Sequence, residues 1–359
     1  MYRPSLRTNL SLIILSVVSM ILLYVINLSN GPNYKEQISA SKRMEGCITT
    51  ISKEYKSLLK DKKVSWNKKT DPEKLGIVGP ETSAIITSRG ILSEKQRAIN
   101  PNLPAIFIKW FADANLEKGD YVAVGLSGAS PAINIALYSA MKEMELNPVI
   151  ITALSSSKYG ASNPNFTWLD MEQAIYKEVG YRSQSASVGG NRDVAAGLNS
   201  EGKAELRDII SKHNLKLLEG NQARISMYKK ALPKGKSYKA FINIGAAVSN
   251  VGSVVNANLL KEGVTFKLPE MEKMGVLGYF AGENIPLIHI FKGNETFAKY
   301  YFAEAGETQQ KLGKGIIYGY SWLVALISLI VLLVAIAIVV IFDRHDRHFM
   351  SNIVAHHEG

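Results

Sequence analysis

The chain has 359 residues, 47% of them hydrophobic, and carries a formal net charge of +11. This length allows two ordinary domains, and the hydrophobic fraction is that of a globular protein. A single cysteine, Cys47, excludes an internal disulfide, so the fold must be held together by its own core.

Two stretches without any charged residue lie near the ends of the chain, Thr8 to Tyr34 and Ile316 to Phe342, each 27 residues long. A transmembrane helix needs only about 20 apolar residues. The second stretch is almost purely aliphatic, whereas serines and Asn27 interrupt the first. A cleaved signal peptide is the alternative for the first stretch, but its apolar region is long and no small-residue cleavage site follows. We therefore predict two transmembrane helices.

Basic residues flank both predicted spans on their outer sides. Arg3 and Arg7 precede the first, and Arg344 and Arg347 follow the second. Because basic residues in short flanks stay in the cytoplasm, both termini are predicted to be cytoplasmic and the long central region to be extracytoplasmic. The lysines just beyond the first span argue mildly against this orientation.

Residues 35–74 contain eleven basic and six acidic residues, with apolar positions spaced by threes and fours. This spacing predicts a helix that leaves the membrane. Its basic face is interpreted as solvated, with contact to anionic lipid headgroups as the alternative. Cys47 lies in this helix and is expected to be an unpaired thiol, the alternative being a disulfide to another chain.

The region after Gly76 alternates apolar β-rich runs with amphipathic segments. The predicted strands are 82–87, 121–126, 147–154, 182–189, 239–245, 275–282 and 286–291, and the predicted helices are 104–116, 130–144, 167–179 and 192–214. Such alternation is typical of βαβ units around a parallel sheet. The predicted fold class is α/β, with a mostly parallel sheet, helices on both faces and one transmembrane helix at each end.

The predicted organisation therefore has six parts. They are an N-terminal tip and anchor (1–34), a basic helical juxtamembrane segment (35–74), an extracytoplasmic α/β domain (75–291), a linker (292–315), a C-terminal transmembrane helix (316–342) and a cytoplasmic tail (343–359).

Loops rich in glycine and small polar residues follow four of the strands, at 125–131, 155–166, 189–198 and 243–253. Ligands of parallel α/β sheets gather at the carboxyl ends of the strands. In the first loop Ser130 occupies an N-cap position before Pro131, where the helix dipole favours an anion. A capped turn without a ligand is the alternative. The predicted anion- or ligand-binding residues are Gly125, Ser127, Gly128, Ser130, Ser155, Ser156, Lys158, Gly189, Gly190, Asn191 and Arg192.

Ser127 is also the candidate nucleophile, because a serine on a strand-to-helix turn resembles the nucleophile elbow. The last glycine of that motif is missing here. Of the two central histidines, His213 looks exposed and His289 lies in an apolar strand, so a Ser-His-Asp triad has little support. Asp170 and Glu172 are possible acids or bases, but are interpreted as capping and solvating a helix start.

No metal or cofactor is predicted. His345, His348, His356 and His357 lie in the tail without a spacing that specifies a metal. No Walker loop and no G-x-G-x-x-G motif occurs. Nucleic acid is not expected as a partner, because the basic region is predicted to lie outside the cytoplasm. The basic excess suits an acidic polymer or anionic membrane lipids.

Three segments, GLSGASPAINIAL (125–137), SSSKYGASNPNFTWLDME (155–172) and GGNRDVAAGL (189–198), resemble the bacterial poly-gamma-glutamate system protein family. The resemblance covers most of residues 75–290, and the layout of anchor, domain and anchor is similar as well. It implies a membrane component of poly-gamma-glutamate synthesis and export that works with ligase and membrane subunits. It implies no catalytic residues.

Three hypotheses follow for the function. The first is a non-catalytic domain that binds the acidic polymer through Ser127, Ser130, Lys158 and Arg192. The second is an amide hydrolase or transferase with Ser127 as nucleophile and the turn at 128–131 as oxyanion site. The third is a scaffold for the other subunits, held by its spans, in which Gly315 and Gly319 form a G-x-x-x-G packing motif.

Overall fold

The computed structural model describes residues 9–271, 274–303, 311–313 and 316–357; the side chains of Arg192 and of most residues beyond 342 are not described. Contacts divide the chain into two units, one of Met1–Tyr34 with Tyr318–Gly359 and the other of Lys35–Ile317.

The helices of the described residues are α1 (Asn9–Leu28), α2 (Tyr34–Lys60), α3 (Leu92–Arg97), α4 (Leu103–Asp113), α5 (Pro131–Glu143), α6 (Trp168–Ala174), α7 (Tyr176–Val179), α8 (Ser200–Lys212), α9 (Gly220–Ala231), α10 (Val248–Val251), α11 (Val254–Leu259), α12 (Val276–Gly282), α13 (Asn294–Lys299) and α14 (Trp322–His357). The strands are β1 (Ile86–Ser88), β2 (Tyr121–Ser127), β3 (Asn147–Ala153), β4 (Ser156–Ser157), β5 (Ser185–Ser187), β6 (Lys216–Leu217), β7 (Tyr238–Ile244), β8 (Gly263–Thr265) and β9 (Leu287–Ile290).

In the first unit, α1 and the part of α14 from Trp322 to Phe342 are each long and apolar enough to cross a membrane. Only 6% of the residues in either apolar window are buried, so their side chains form a bare apolar surface. The two helices lie against each other, and the amide of Ser321 donates a hydrogen bond of 3.0 Å to Ser29 Oγ. Helices of this length and surface suit the hydrocarbon core of a bilayer.

The predicted G-x-x-x-G motif does not lie on a membrane helix. Gly315 is outside the described residues, and Gly319 has a positive φ of 61° before α14 begins. A Cβ on Gly31 would lie 2.4 Å from the carbonyl oxygen of Tyr318. The close approach in this unit is therefore made by the segments that flank the helices, and Gly319 lies in such a segment rather than on a helix face.

The second unit is built on a seven-stranded sheet of order β6-β5-β3-β2-β7-β9-β8. All neighbours are parallel except β8, which is antiparallel to β9. The chain runs outward from β2 through β3 and β5 to β6, then returns to place β7 and β9 on the other side of β2. The strand order thus reverses between β2 and β7. The prediction of a mostly parallel α/β sheet is confirmed, whereas its helices on both faces stay a prediction.

The predicted juxtamembrane helix corresponds to α2, which is part of the core of the second unit. Met44, Cys47 and Ile51 are fully buried along one side, while Lys53 and Lys56 on the other are exposed. Cys47 is a free thiol, and burial raises its pKa to about 12. The thiol therefore stays protonated and unreactive at neutral pH.

Two predicted elements are wrong. Residues 275–282 form helix α12 rather than a strand, because Val276, Leu277 and Phe280 bury one helical side and Phe280 stacks on Phe241 at 4.7 Å. The predicted helix from 192 is a 3₁₀ turn, Asn191–Asp193, followed by residues with positive φ, and α8 begins only at Ser200. There the side chain of Asn199 caps the helix by accepting a hydrogen bond from the Gly202 amide.

The segment predicted as a linker begins as an ordered part of the second unit. Helix α13 lies within it, and Phe297 stacks on Phe302 at 5.4 Å. Both rings are buried. The guanidinium of Arg97 donates to the carbonyl oxygen of Phe302 at 2.8 Å. The α/β unit therefore extends at least to Phe302, because these aromatic side chains belong to its core.

Candidate functional site

Ser127 lies at the point where the strand order reverses, at the carboxyl end of β2. Its side chain is 7% exposed. Gly245, which follows β7 with a φ of +84°, approaches so closely that a Cβ there would be 3.0 Å from the Cβ of Ser127. Crevices at such reversals are the usual ligand sites of open α/β sheets. The sequence thus placed Ser127 correctly, but the crevice beside it is tightly filled.

Ser127 has no acid–base partner among the described residues. Its Oγ accepts a hydrogen bond from the Ala129 amide at 3.2 Å, and no histidine or lysine of the described residues hydrogen-bonds to it. The Gly128 amide, a predicted oxyanion donor, is used by the carbonyl oxygen of Ala153 at 2.8 Å. Pro131 has no amide hydrogen. The structure therefore supplies neither a base nor two free oxyanion donors for Ser127.

Gly125 serves helix packing rather than ligand contact. It lies inside β2, paired with both β3 and β7, and a Cβ there would be 2.2 Å from Nδ2 of Asn250 on α10. Its amide and carbonyl groups are in the middle of the sheet. Only a glycine lets α10 come this close to the strand.

The predicted serines of the second loop hold the loops to one another. The amide of Ser155 donates to the Val188 carbonyl at 3.0 Å, and its Oγ accepts from Thr87 Oγ1 at 3.2 Å. Ser156 Oγ donates to the carbonyl oxygens of Gly128 and Ser157. Ser156 and Ser157 also form β4, which pairs with β1. These hydroxyl groups are thus committed to structure.

Lys158 lies at the exposed edge of this loop, with its Nζ 3.1 Å from Oε1 of Glu81. The hydrogen bond with Lys158 holds the pKa of Glu81 below its usual value. The Lys158 side chain is 38% exposed, so the pair is open to solvent and adds little stability. Lys158 therefore contributes surface charge rather than a built anion site.

The third loop closes against the second through its glycines. Gly189 and Gly190 have φ values of 77° and 69°, and a Cβ on Gly189 would be 2.5 Å from Ser155 Oγ. Asn191 is exposed at the start of the 3₁₀ turn, and the Arg192 side chain lies outside the described residues. The three loops do meet as predicted, but mainly by backbone contact.

A small cavity of about 10 Å³ lies at the N-terminus of α5. Its wall includes Ser130, Ala132 and Ile133. The amides of Ala132 and Ile133 belong to the first helical turn, where no intrahelical acceptor exists. Ser130 is 4% exposed, makes no side-chain capping bond, and its Oγ has no hydrogen-bond partner among the described residues. The cavity has room for one water-sized oxygen atom.

Two lysines, Lys95 on α3 and Lys292 after β9, join this wall. Lys95 Nζ donates a hydrogen bond of 2.7 Å to the Ala129 carbonyl, next to Ser130. Burial lowers the pKa of Lys95 to about 8, although Glu94 opposes this shift. Sequence reasoning missed both lysines, because each lies on an element far from Ser130 in the chain and has no motif of its own.

A buried ion pair lies beneath the same edge of the sheet. Arg224 on α9 and Asp193 are both fully buried, with Nε–Oδ2 at 2.7 Å and Nη2–Oδ1 at 2.8 Å. Arg224 also donates to Ser187 Oγ at 2.6 Å and to Asn250 Oδ1 at 3.2 Å. Although burial opposes ionisation, the Arg224 guanidinium keeps the pKa of Asp193 below its usual value.

The polar chain continues from Asn250 to the far side of the reversal. Asn250 Nδ2 donates to Asn243 Oδ1 at 2.8 Å, and Asn243 Nδ2 lies 3.0 Å from His289 Nδ1. Burial lowers the pKa of His289, and its Nε2 has no partner among the described residues. His289 is the buried core histidine that was predicted. This network ties α9 and α10 to the strands and thereby orders the loops above them.

The remaining acid–base candidates lie elsewhere. His213 is not exposed as predicted: its Nε2 is 3.1 Å from Asp170 Oδ1, and its side chain is 21% exposed. Asp170 completes a capping box with Thr167, as interpreted from sequence. Glu172 is buried rather than solvated and hydrogen-bonds to Tyr138 and to the amide of Ser183. Burial raises its pKa.

Among the described residues no group of three or more His, Cys, Asp or Glu side chains could hold a metal ion. The side chains of the tail histidines, from His345 onward, lie outside that description.

No model of a protein family matches the chain, and neither a curated protein nor a solved structure matches it. Its function therefore has to be inferred from the geometry of its own residues.

Proposed function

We propose that the protein is a membrane-anchored component of a bacterial poly-gamma-glutamate synthesis and export system, and that its α/β unit binds carboxylates of the polymer at the N-terminus of α5. The observation that carries this proposal is the cavity in which the uncommitted Ser130 hydroxyl, the first-turn amides of α5 and two lysines converge.

The chemistry of the cavity matches a carboxylate. The N-terminus of a helix carries a partial positive charge, and its free amides point toward an anion placed there. Lys95 and Lys292 bring two positive charges to the wall against the one negative charge of Glu94, and Ser130 Oγ adds a donor. Since the cavity holds about one oxygen atom, it would take one oxygen of a single carboxylate, with the rest of the chain passing over the surface. Because every residue of the polymer carries an equivalent carboxylate, the cavity would bind any one of them weakly and exchange it for the next.

The two apolar helices and the net positive charge support the same proposed function. Two helices are long and apolar enough to span a membrane, and the basic flanks favour an orientation with both termini in the cytoplasm and the α/β unit outside. A net charge of +11 attracts a polymer with one carboxylate per residue. A domain held at the outer surface by two spans is suited to receive such a polymer as it emerges.

The test measures binding of poly-gamma-glutamate to the full-length protein in lipid nanodiscs over a salt series. Lys95→Ala removes one cation from the cavity, while Lys118→Ala removes one from an exposed pair with Glu145 on the surface. Both variants lose one positive charge, so they differ in where on the protein that charge is lost. We expect Lys95→Ala to weaken binding at least about tenfold, because a charge-assisted hydrogen bond contributes roughly 1.5–3 kcal/mol, and Lys118→Ala to change it little.

Ser130→Ala is a second variant of the cavity, and it leaves the net charge unaltered. We expect it to lower the affinity for poly-gamma-glutamate less than Lys95→Ala does. Equal effects of Lys95→Ala and Lys118→Ala would mean that binding is diffuse attraction to a basic surface, and the assignment of the cavity would be wrong.

A further inference from the structure

A larger cleft of about 310 Å³ is lined in part by Gly76 and Val78, the chain neighbours of Ile77, which lines the α5 cavity. Its wall combines residues of 55–82 with residues of 161–171, and nothing in the function proposed above uses it. Its lining includes the aromatic residues Tyr55, Trp66 and Phe166 and the acidic residue Asp71. Its size is that of an ordinary pocket for a small ligand or a chain end.

The aromatic side chains of the cleft are held in place. Tyr55 and Phe166 stack with ring centroids 5.7 Å apart. The Tyr55 hydroxyl donates to the carbonyl oxygen of Ser65 at 2.8 Å, and Trp66 Nε1 donates to the carbonyl oxygen of Asp71 at 2.6 Å. Tyr55 and Phe166 are buried, so the exposed Trp66 is the ring whose face can meet a cation. Lys74 Nζ already lies 4.2 Å from the centre of the Trp66 ring.

Asp71 places a negative charge in this wall without a cation to balance it. Its side chain accepts hydrogen bonds from the amides of Leu75 at 2.9 Å and Gly76 at 2.7 Å. The residue is 4% exposed, and no ion pair to it occurs in the part of the chain that the structure describes. Burial raises the pKa of Asp71, and Lys56 is the charge that counteracts this. The two amide hydrogen bonds offset part of the cost of burying this carboxylate, and a cation beside it would lower that cost further.

The other charges near the cleft lie in its wall or next to it in the chain. Glu81 in the wall is paired with Lys158. From the last residue of α2 onward the chain carries exposed lysines, and within the described part of the chain only Lys63 among them has an ion pair, at 3.4 Å from Asp61. They are Lys60, Lys62, Lys63, Lys68 and Lys69. None of these lysines lines the cleft, but Lys63, Lys68 and Lys69 lie within two residues of the wall residues Ser65 and Asn67 in the chain. An acidic and aromatic wall with basic residues next to it in the chain suits a ligand with an ammonium end and carboxylates behind it.

We propose that this cleft binds the amino end of an acidic, amide-linked chain, with the terminal ammonium beside Asp71 and the carboxylates toward the exposed lysines of residues 60–69. The hydroxyl and amide groups of Ser65, Asn67, Thr70 and Asn163 in the wall suit the amide links of such a chain. The identity of the chain as poly-gamma-glutamate rests on the proposed function, whereas the ammonium site rests on the cleft alone. The protein would then recognise the amino end of the polymer as well as the carboxylates along the chain.

The test uses full-length protein in nanodiscs and two tri-gamma-glutamate probes, one with a free amino group and one N-acetylated. We expect the free amine to bind at least about tenfold more tightly, as for a charge-assisted contact. Asp71→Asn is expected to abolish this preference, and Asp113→Asn, which removes an exposed carboxylate on α4, is expected to keep it. Trp66 fluorescence should respond to the free amine.

Asp71 also holds two backbone amides, so Asp71→Asn needs a companion that leaves the turn intact. Thr82 lines the cleft and is exposed; Thr82→Trp should block the cleft and remove the amine preference without loss of fold. Equal binding of the two probes by the unaltered protein, or a preference that survives Thr82→Trp, would overturn the proposal.

A third probe pair separates this inference from the proposed function. Tri-alanine amide, free or acetylated, carries no carboxylate. If neither glutamyl probe binds and the alanyl pair still shows an amine preference lost in Thr82→Trp, the acidic polymer is wrong as the ligand and the ammonium site stands. No amine preference in either pair overturns the ammonium site, even where Lys95→Ala shows that the α5 cavity binds carboxylates.

Discussion

The buried pair of Arg224 and Asp193 should be a large contributor to the stability of the α/β unit. Asp193→Ala removes two hydrogen bonds to the guanidinium, at 2.7 and 2.8 Å, and one from Ser187 at 2.7 Å. It leaves Arg224 charged, fully buried and without its counter-ion. Breaking a buried pair in this way costs about 3–5 kcal/mol. In a unit of this size we expect the apparent Tm to fall by roughly 6–15 °C.

The measurement is the thermal unfolding of the purified full-length protein in nanodiscs, followed by circular dichroism. Lys109→Ala is the control, because Lys109 pairs with Asp113 at 2.7 Å on the surface of α4, where such a pair contributes about 0.3–0.5 kcal/mol. The double variant Asp193→Ala with Arg224→Met removes both charges and should regain much of the loss, since an apolar side chain is tolerated where the guanidinium lay.

The same pair predicts a pH dependence. Because the pKa of Asp193 is lower in the folded protein, its contribution is complete above the unfolded value of about 3.9 and is lost as the pH falls through the lower, folded value. Asp193→Asn should lose this acid-dependent contribution. A Tm for Asp193→Ala close to that of Lys109→Ala would refute the view that the buried pair organises this edge of the sheet.

Three further predictions concern the site and the topology. Lys95 is cationic only below its pKa of about 8, so affinity for poly-gamma-glutamate should fall between pH 7 and 9 in the unaltered protein and stay level in Lys95→Arg, whose guanidinium remains charged; parallel pH profiles would contradict this. Ser127→Ala should leave polymer length unchanged relative to the unaltered protein, because no base contacts Ser127 among the described residues; new amino ends formed only by the unaltered protein would restore the enzyme hypothesis. Lys234→Cys, exposed in the turn before β7, should react with a membrane-impermeant maleimide on intact cells while the buried Cys47 does not; reaction only after permeabilisation would reverse the predicted orientation.

Local sequence patterns were sufficient for several features. The two apolar stretches, the strands β2, β3, β7 and β9 and the helices α2, α4 and α5 are visible in composition and periodicity, because each depends on residues within a few positions of one another. The N-cap position of Ser130 before Pro131 was visible for the same reason. The helix α12 was mistaken for a strand since its apolar run is short, and only its packing on Phe241 selects the helix.

The site itself depended on tertiary structure. The chain order of residues determined that Ser130 begins a helix after a strand and that glycine-rich loops follow neighbouring strands. Only the folded structure decided that Lys95 and Lys292 lie beside Ser130, that Arg224 neutralises Asp193, and that Asp71 faces a cleft without a cation. Each of these pairs joins residues from separate elements, and their energies come from burial and close charge, which no local pattern records.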